Sequence, residues 1–163
     1  MPKAADVDSS KYGVFYASAG HAALTDYPTA TALQKITEQV WANGGIVSSV
    51  CHGPAIFANV IDPATNEALI KGKRITGFTT EAEYDMKIYD ELKSWNTELV
   101  EELAARLGAT CKLASSSFLC AVLDTNFTLQ MSEELASGMT SASSMAAWSL
   151  VGIRKARHPL PEL

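Results

Sequence analysis

The sequence predicts an α/β domain built on a mostly parallel sheet with helices on both faces, and three observations carry that expectation. Two short runs, residues 12–17 (Tyr-Gly-Val-Phe-Tyr-Ala) and 46–50 (Ile-Val-Ser-Ser-Val), are aromatic or β-branched enough to be buried strands. Between them Leu33, Ile36, Val40 and Trp41 recur at i, i+3, i+7 and i+8, the apolar stripe of an amphipathic helix over residues 29–43. Punctuation agrees: Pro28 precedes that helix, Gly44-Gly45 follows it, and Gly53-Pro54 lies just beyond the second run. Strand, helix, strand in this order closes through a right-handed crossover.

Length and composition narrow the class. The 163 residues suit a single domain over 1–163, long enough to bury about two thirds of its unfolded surface. Hydrophobic residues make up 47% and mean hydropathy is near zero, which fits a globular protein rather than a disordered one. No apolar run approaches the ~20 residues of a membrane span, and no leader pattern opens the chain, so the expected location is the cytoplasm. The net charge of −5, with one basic cluster at Arg154-Lys155-Ala156-Arg157, argues against nucleic acid or an anionic membrane as main partner. Three cysteines, an odd number without metal-ligand spacing, point to reduced thiols and to no metal site.

In chain order, residues 1–11 are polar and read as a frayed terminus. The first strand ends in the small-residue turn Ser18-Ala19-Gly20-His21, where parallel α/β folds place ligands. Residues 55–60 have helical character, 62–67 form a turn-rich loop, and 73–78 return as a strand. Residues 81–93 read as a surface helix or lid. Asn96-Thr97 then caps a helix bearing Leu99, Val100, Leu103 and Leu107 that stops at Gly108, with Glu102 and Arg106 paired at i, i+4. Past residue 109, Ala121-Val122-Leu123 reads as a strand, 142–150 as a helix, and the serine runs 115–117 and 141–144 as loop or cap.

Cys51 stands where the second strand turns into the following helix. Helix N-terminal amides favour an anion, so a thiol there is expected to ionise more easily than a free cysteine. The arrangement is the thiol counterpart of the strand–nucleophile–helix elbow of serine hydrolases. A lone cysteine is more often a small buried hydrophobe, but the adjoining His52 and the Gly53-Pro54 turn favour a nucleophile. Cys111 and Cys120, with no neighbouring base or helix start, read as structural.

Three segments follow one another in the order of a known family: Ala19-Gly20-His21-Ala22-Ala23, Val50-Cys51-His52-Gly53-Pro54-Ala55, and Gly72-Lys73-Arg74-Ile75-Thr76-Gly77-Phe78-Thr79. They resemble the ThiJ/PfpI superfamily, within it the chaperone-like, glutathione-independent glyoxalases. The resemblance covers residues 11–109. It implies a flavodoxin-like, class I glutamine amidotransferase-like three-layer sandwich, here without the family's N-terminal βα portion, and with residues 110–163 divergent. It also implies a catalytic set of Cys51, His52 and an acidic residue past the Thr-Gly-Phe-Thr segment, Glu83 by position with Glu81 as near alternative. Without the resemblance both would pass for solvated carboxylates. Ala19, Gly20, His21 and Gly53 would form the oxyanion and substrate side of the site, with Asp26 beside Tyr27-Pro28 fixing the loop.

Departures from the family pattern shape the functional expectation. Ala19 and Ala22 stand where relatives have glycine, and alanine would be strained if either position needs a positive φ. No residue here matches the N-terminal glutamate that serves the family as acid/base, so proton transfer is expected to suffer and a strand edge with apolar flanks to be exposed. The implied activity is cofactor-free conversion of a small 2-oxoaldehyde, methylglyoxal, to D-lactate through a Cys51 hemithioacetal, by a homodimer. The alternative is a catalytically impaired stress protein, a thiol redox sensor or a holdase chaperone. A cysteine peptidase or amidase ranks last, because nothing specifies a peptide or amide pocket.

Overall fold

The computed structural model of the chain describes residues 3–111 and 120–123. The chain divides into two units, residues 1–123 and 124–163, and the fold below is that of the first. The expected serine-rich loops and the helix at 142–150 lie outside the described residues.

The β-branched runs form strands as expected: β1 (Val14–Ala17) and β2 (Ile46–Val50) pair in parallel, Val14 opposite Ile46 and Ala17 opposite Ser49. The crossover between them runs through a short helix α1 (Ala23–Asp26), a 3-10 turn at Tyr27–Thr29 and helix α2 (Thr31–Ala42). Gly44 takes φ +74 and Gly45 meets the strand, since a Cβ at Gly45 would lie 2.7 Å from Gly13 O. Beyond β2 comes a 3-10 helix, Gly53–Asn59, in place of the expected α-helix. Next are the two-residue hairpin strands β3 (Ile61–Asp62) and β4 (Glu67–Ala68), with Asn66 left-handed in the turn between them.

β5 (Arg74–Ile75) pairs in parallel with β6 (Thr110–Cys111). The expected strand over 73–78 is thus a ladder of two residues, because Phe78 N–H donates instead to the carbonyl of Cys51 (2.9 Å). Helices α3 (Thr80–Asp85), α4 (Tyr89–Ser94) and α5 (Val100–Arg106) fill the interval. Left-handed Lys87 separates the first two, so residues 81–93 are two helices and not one. β7 (Cys120–Leu123) lies antiparallel to β2, giving the order β1-β2-β7 in a sheet whose first pair is parallel.

The core packs α2, β2, the 3-10 helix and α5 together through Val40, Val47, Ile56, Phe57, Val60 and Ala104, with Leu69 and Ile70 closing one side. A second cluster, Leu24, Ala55, Leu92, Leu99 and Val100, joins α1, α4 and α5. β1 buries Ala17 and leaves Val14 and Tyr16 exposed on its alternate side, with Tyr12 exposed just before it. The expectation of a buried strand over residues 12–17 is thus corrected on this side of β1, which is exposed among the described residues.

Three local expectations are corrected. Residues 3–11 are not frayed: single 3-10 turns at Ala4–Asp6 and Ser9–Lys11 dock on α2, where buried Ser9 donates its hydroxyl to Gln39 Oε1. The cap of α5 is not Asn96-Thr97. Glu102 Oε2 instead accepts from Leu99 N–H at 2.9 Å, a carboxylate closing a helix start from inside its first turn. Glu102 is further held by Lys93 Nζ (2.9 Å), so Arg106 pairs with Glu98 (2.6 and 2.8 Å) and not with Glu102. Among the described residues no helix is long and apolar enough to cross a membrane.

Candidate active site

β2 delivers its next residue, Cys51, into a left-handed backbone conformation, φ +57. Side chains pay a steric penalty there, and such strain is characteristic of elbows that thrust one residue out of a sheet. Two glycines permit the turn. A Cβ on Gly53 would sit 2.4 Å from Ala17 O, so the elbow closes against the end of β1 only without a side chain. A Cβ on Gly77 would meet Val100 Cγ1 at 2.7 Å and Cys51 O at 3.1 Å, which explains why a Thr-Gly-Phe segment accompanies the elbow.

His52 is buried to 1% exposure and Glu83 to 2%. Glu83 lies on α3, whose start is fixed twice: Thr79 Oγ1 accepts from Ala82 N–H (3.1 Å), and Glu101 Oε2 accepts from Thr80 N–H (2.8 Å). That anchoring turns the carboxylate inward, where Glu83 Oε1 lies 2.6 Å from His52 Nε2. A carboxylate only accepts, so His52 Nε2 carries the proton and its Nδ1 presents a lone pair. Cys51 Sγ lies 3.1 Å from that Nδ1 and donates its thiol hydrogen to it. Cys51, His52 and Glu83 thus form one continuous hydrogen-bonded line. The near alternative Glu81 is exposed and stands outside it.

His21 enters from the turn after β1. Its Nε2 donates to Glu83 Oε2 at 3.2 Å, its ring lies 4.2 Å from that of His52, and it meets Phe78 edge-on at 5.7 Å. Phe78 stacks on His52 at 4.6 Å. Phe78 belongs to the third of the motif segments, but the sequence assigns it no role; its spacing from His52 carries no local signal. The turn itself is tied by Tyr27, whose hydroxyl donates to Ser18 O (2.5 Å), rather than by the expected Asp26 side chain. Ala19 and Ala22 escape strain: neither is among the positive-φ residues, and Ala22 is helical at φ −58.

The electrostatics correct one expectation. Burial pushes the Cys51 thiol up; the His52 backbone N–H pulls it down, and the Glu83 charge pushes it up again. The 3-10 helix after the elbow is seven residues long, too short to supply the expected α-helical dipole. Burial also holds His52 below the usual histidine range, against the opposing pull of Glu83. The resting pair is therefore a thiol and a neutral imidazole, with the imidazole Nδ1 lone pair facing the thiol hydrogen. Cys111, half-buried beside the core, is likewise pushed up by burial. His21, His52 and Glu83 offer ligand atoms within 4.8 Å of one another, a set able to hold a cation, although their nitrogens and oxygens already bond each other.

The described residues thus form an α/β domain with a left-handed cysteine at the end of a parallel strand and a buried His-Glu pair behind it. No family model matches the chain. It is 50% identical over 110 residues to Glyoxalase 3 of Candida albicans, covering 68% of this chain and 47% of the relative. It is 47% identical over 104 residues to the glutathione-independent glyoxalase HSP31 of Saccharomyces cerevisiae, covering 64% and 44%. The crystal structure of glyoxalase III from Candida albicans superposes with a TM-score of 0.67 at 47% identity, over 70% of this chain and 48% of that one. A Francisella tularensis protein, Rapid Encystment Protein 24 KDa, shares the fold at TM-score 0.63 and 24% identity. The chain is thus a homologue of proteins named as glutathione-independent glyoxalases and shares the α/β fold of glyoxalase III from Candida albicans. It spans about half the length of the curated relatives it matches.

Proposed function

We propose that the chain is, or is the nucleophile half of, a glutathione-independent glyoxalase that converts methylglyoxal to D-lactate, and that Cys51, His52 and Glu83 carry the chemistry. The observation behind this reading is the hydrogen-bonded line from Cys51 Sγ through His52 to Glu83 on a strained elbow. In the reaction, Cys51 Sγ adds to the aldehyde carbon while its proton passes to His52 Nδ1, and the imidazolium returns that proton to the new alkoxide, giving a hemithioacetal. His52 then removes the hydrogen on that carbon and delivers a proton to the neighbouring carbon, while the adduct's hydroxyl proton passes to the former ketone oxygen, so that the adduct becomes a lactoyl thioester. Water releases lactate and restores the thiol. Glu83 keeps His52 in the tautomer that aims a lone pair at sulfur and stabilises the imidazolium formed twice in the cycle. Backbone N–H groups at the elbow and the Ala19-Gly20 turn are the expected oxyanion donors.

The thiol-sensor and holdase alternatives have less support, because the relatives matched at 47–50% identity are named as glyoxalases. The reading expects a cytoplasmic homodimer, with the exposed flank of β1 at Tyr12 and Val14 as contact surface. D-lactate formation from methylglyoxal without glutathione, compared between the chain and its Cys51→Ala variant, tests the proposal. Turnover that vanishes with Cys51 is expected; no turnover from a folded sample, or turnover that survives Cys51→Ala, would overturn it.

A further inference from the structure

The family resemblance places His21 against substrate, and its contacts point to another task. Glu83 is a carboxylate at 2% exposure, and a buried anion needs donors on both oxygens to offset its lost hydration. His52 serves Oε1 at 2.6 Å and His21 serves Oε2 at 3.2 Å, from a turn 62 residues away in sequence. The His21 ring is locked between neighbours, 4.2 Å from His52 and edge-on to Phe78, and its side chain keeps 30% exposure.

We infer that His21 is a positioning residue: by donating to Glu83 Oε2 it fixes the rotamer in which Oε1 orients His52 toward Cys51. Its Nε2 is then committed to the carboxylate, which assigns both histidines the Nε2–H tautomer. A carboxylate held at one oxygen alone is free to turn about its terminal torsion, which is broad and roughly two-fold. Such a turn would shorten the time His52 presents its lone pair to sulfur. The inference rests on the proposed role of His52 as base, yet its consequence is measurable without substrate.

Two readouts test it, neither of which uses methylglyoxal. The chain has three histidines, so a two-bond proton–nitrogen correlation spectrum reports each tautomer directly. His21 and His52 are both expected as Nε2–H; an Nδ1–H form at His21 would overturn the inference in the unmutated protein. The second readout is the rate at which iodoacetamide alkylates Cys51 at neutral pH, with Cys111 as internal reference. His21→Leu, which removes the donor but keeps the bulk, is expected to slow Cys51 about tenfold, the scale of one hydrogen bond to a charged group. His21→Gln, which restores an N–H near the same place, is expected to stay within about twofold of the parent on that scale. An unchanged rate in His21→Leu, or equal slowing in both variants, would reduce His21 to packing. Absence of D-lactate turnover would sink the proposed function while leaving both results readable.

Discussion

His52–Glu83 and Arg106–Glu98 are paired at the same distance, 2.6 Å, and their surroundings could hardly differ more. The first pair is 1% and 2% exposed and ends a line of hydrogen bonds that begins at a strained cysteine; the second is 48% and 32% exposed on the outside of α5. Distance alone ranks them equal. Burial separates them: water screens the surface pair and competes for it, whereas the inner pair has no solvent to fall back on if one partner is lost. Loss of one partner from the buried pair is therefore expected to cost far more stability than loss of one from the surface pair.

Loss of the inner carboxylate should have the largest effect. Glu83→Ala strands His52 and His21 without their acceptor, and urea unfolding should show a loss of about 3 kcal/mol. A loss below about 1 kcal/mol, the ceiling for an exposed pair, would erase the distinction. Next in size is a pH effect. Burial holds His52 below the ordinary value of 6.5, so as pH falls below 6.5 the unfolded chain takes up a proton that the folded one does not. Stability is then fully present above that pH and falls below it by up to about 1.4 kcal/mol per unit. His52→Gln should flatten this slope between pH 6.5 and 5.5; the same slope in the variant would assign it to other groups.

The elbow at the head of the inner line gives a smaller effect. With φ +57 at Cys51, Cys51→Gly relieves strain that Cys51→Ala retains, and Cys51→Gly should be the more stable of the two by about 1 kcal/mol. Equal stabilities would mean that the left-handed turn costs nothing here. The smallest change is expected at the outer pair: Arg106→Ala should lower stability by no more than about 0.5 kcal/mol in the same urea assay.

Strand β2, the helix α2 and the elbow are legible in the sequence, because each is set by residues near one another: a β-branched run, an apolar stripe, a Gly-Pro turn. What is not legible depends on distant partners. Nothing near Arg106 reveals that Glu102 is already engaged by Leu99 N–H and Lys93, which hands Arg106 to Glu98. The segment 73–78 has strand composition, yet its Phe78 N–H is taken by the Cys51 carbonyl and the ladder ends after two residues. The direction of the thiol's shift escapes the sequence because the dipole argument assumes an α-helix where a short 3-10 helix stands, and burial then outweighs the local amide. Glu83 is placed by family resemblance, and His21 reaches the site by the same route but with a different neighbour. Its carboxylate partner lies 62 residues away and only the fold brings them together.

Whether the strained thiol is a nucleophile toward 2-oxoaldehydes can be read from where methylglyoxal lands. The chain, mixed with methylglyoxal without glutathione, digested and read by mass spectrometry, should carry the mass of one methylglyoxal on the peptide containing Cys51. That adduct should be released by hydroxylamine as a thioester is, and should be absent from the Cys51→Ala variant. Adducts confined to arginine and lysine peptides, or to Cys111, with Cys51 unmodified and no D-lactate formed, would contradict the claim that this thiol and its buried His-Glu pair act on a 2-oxoaldehyde.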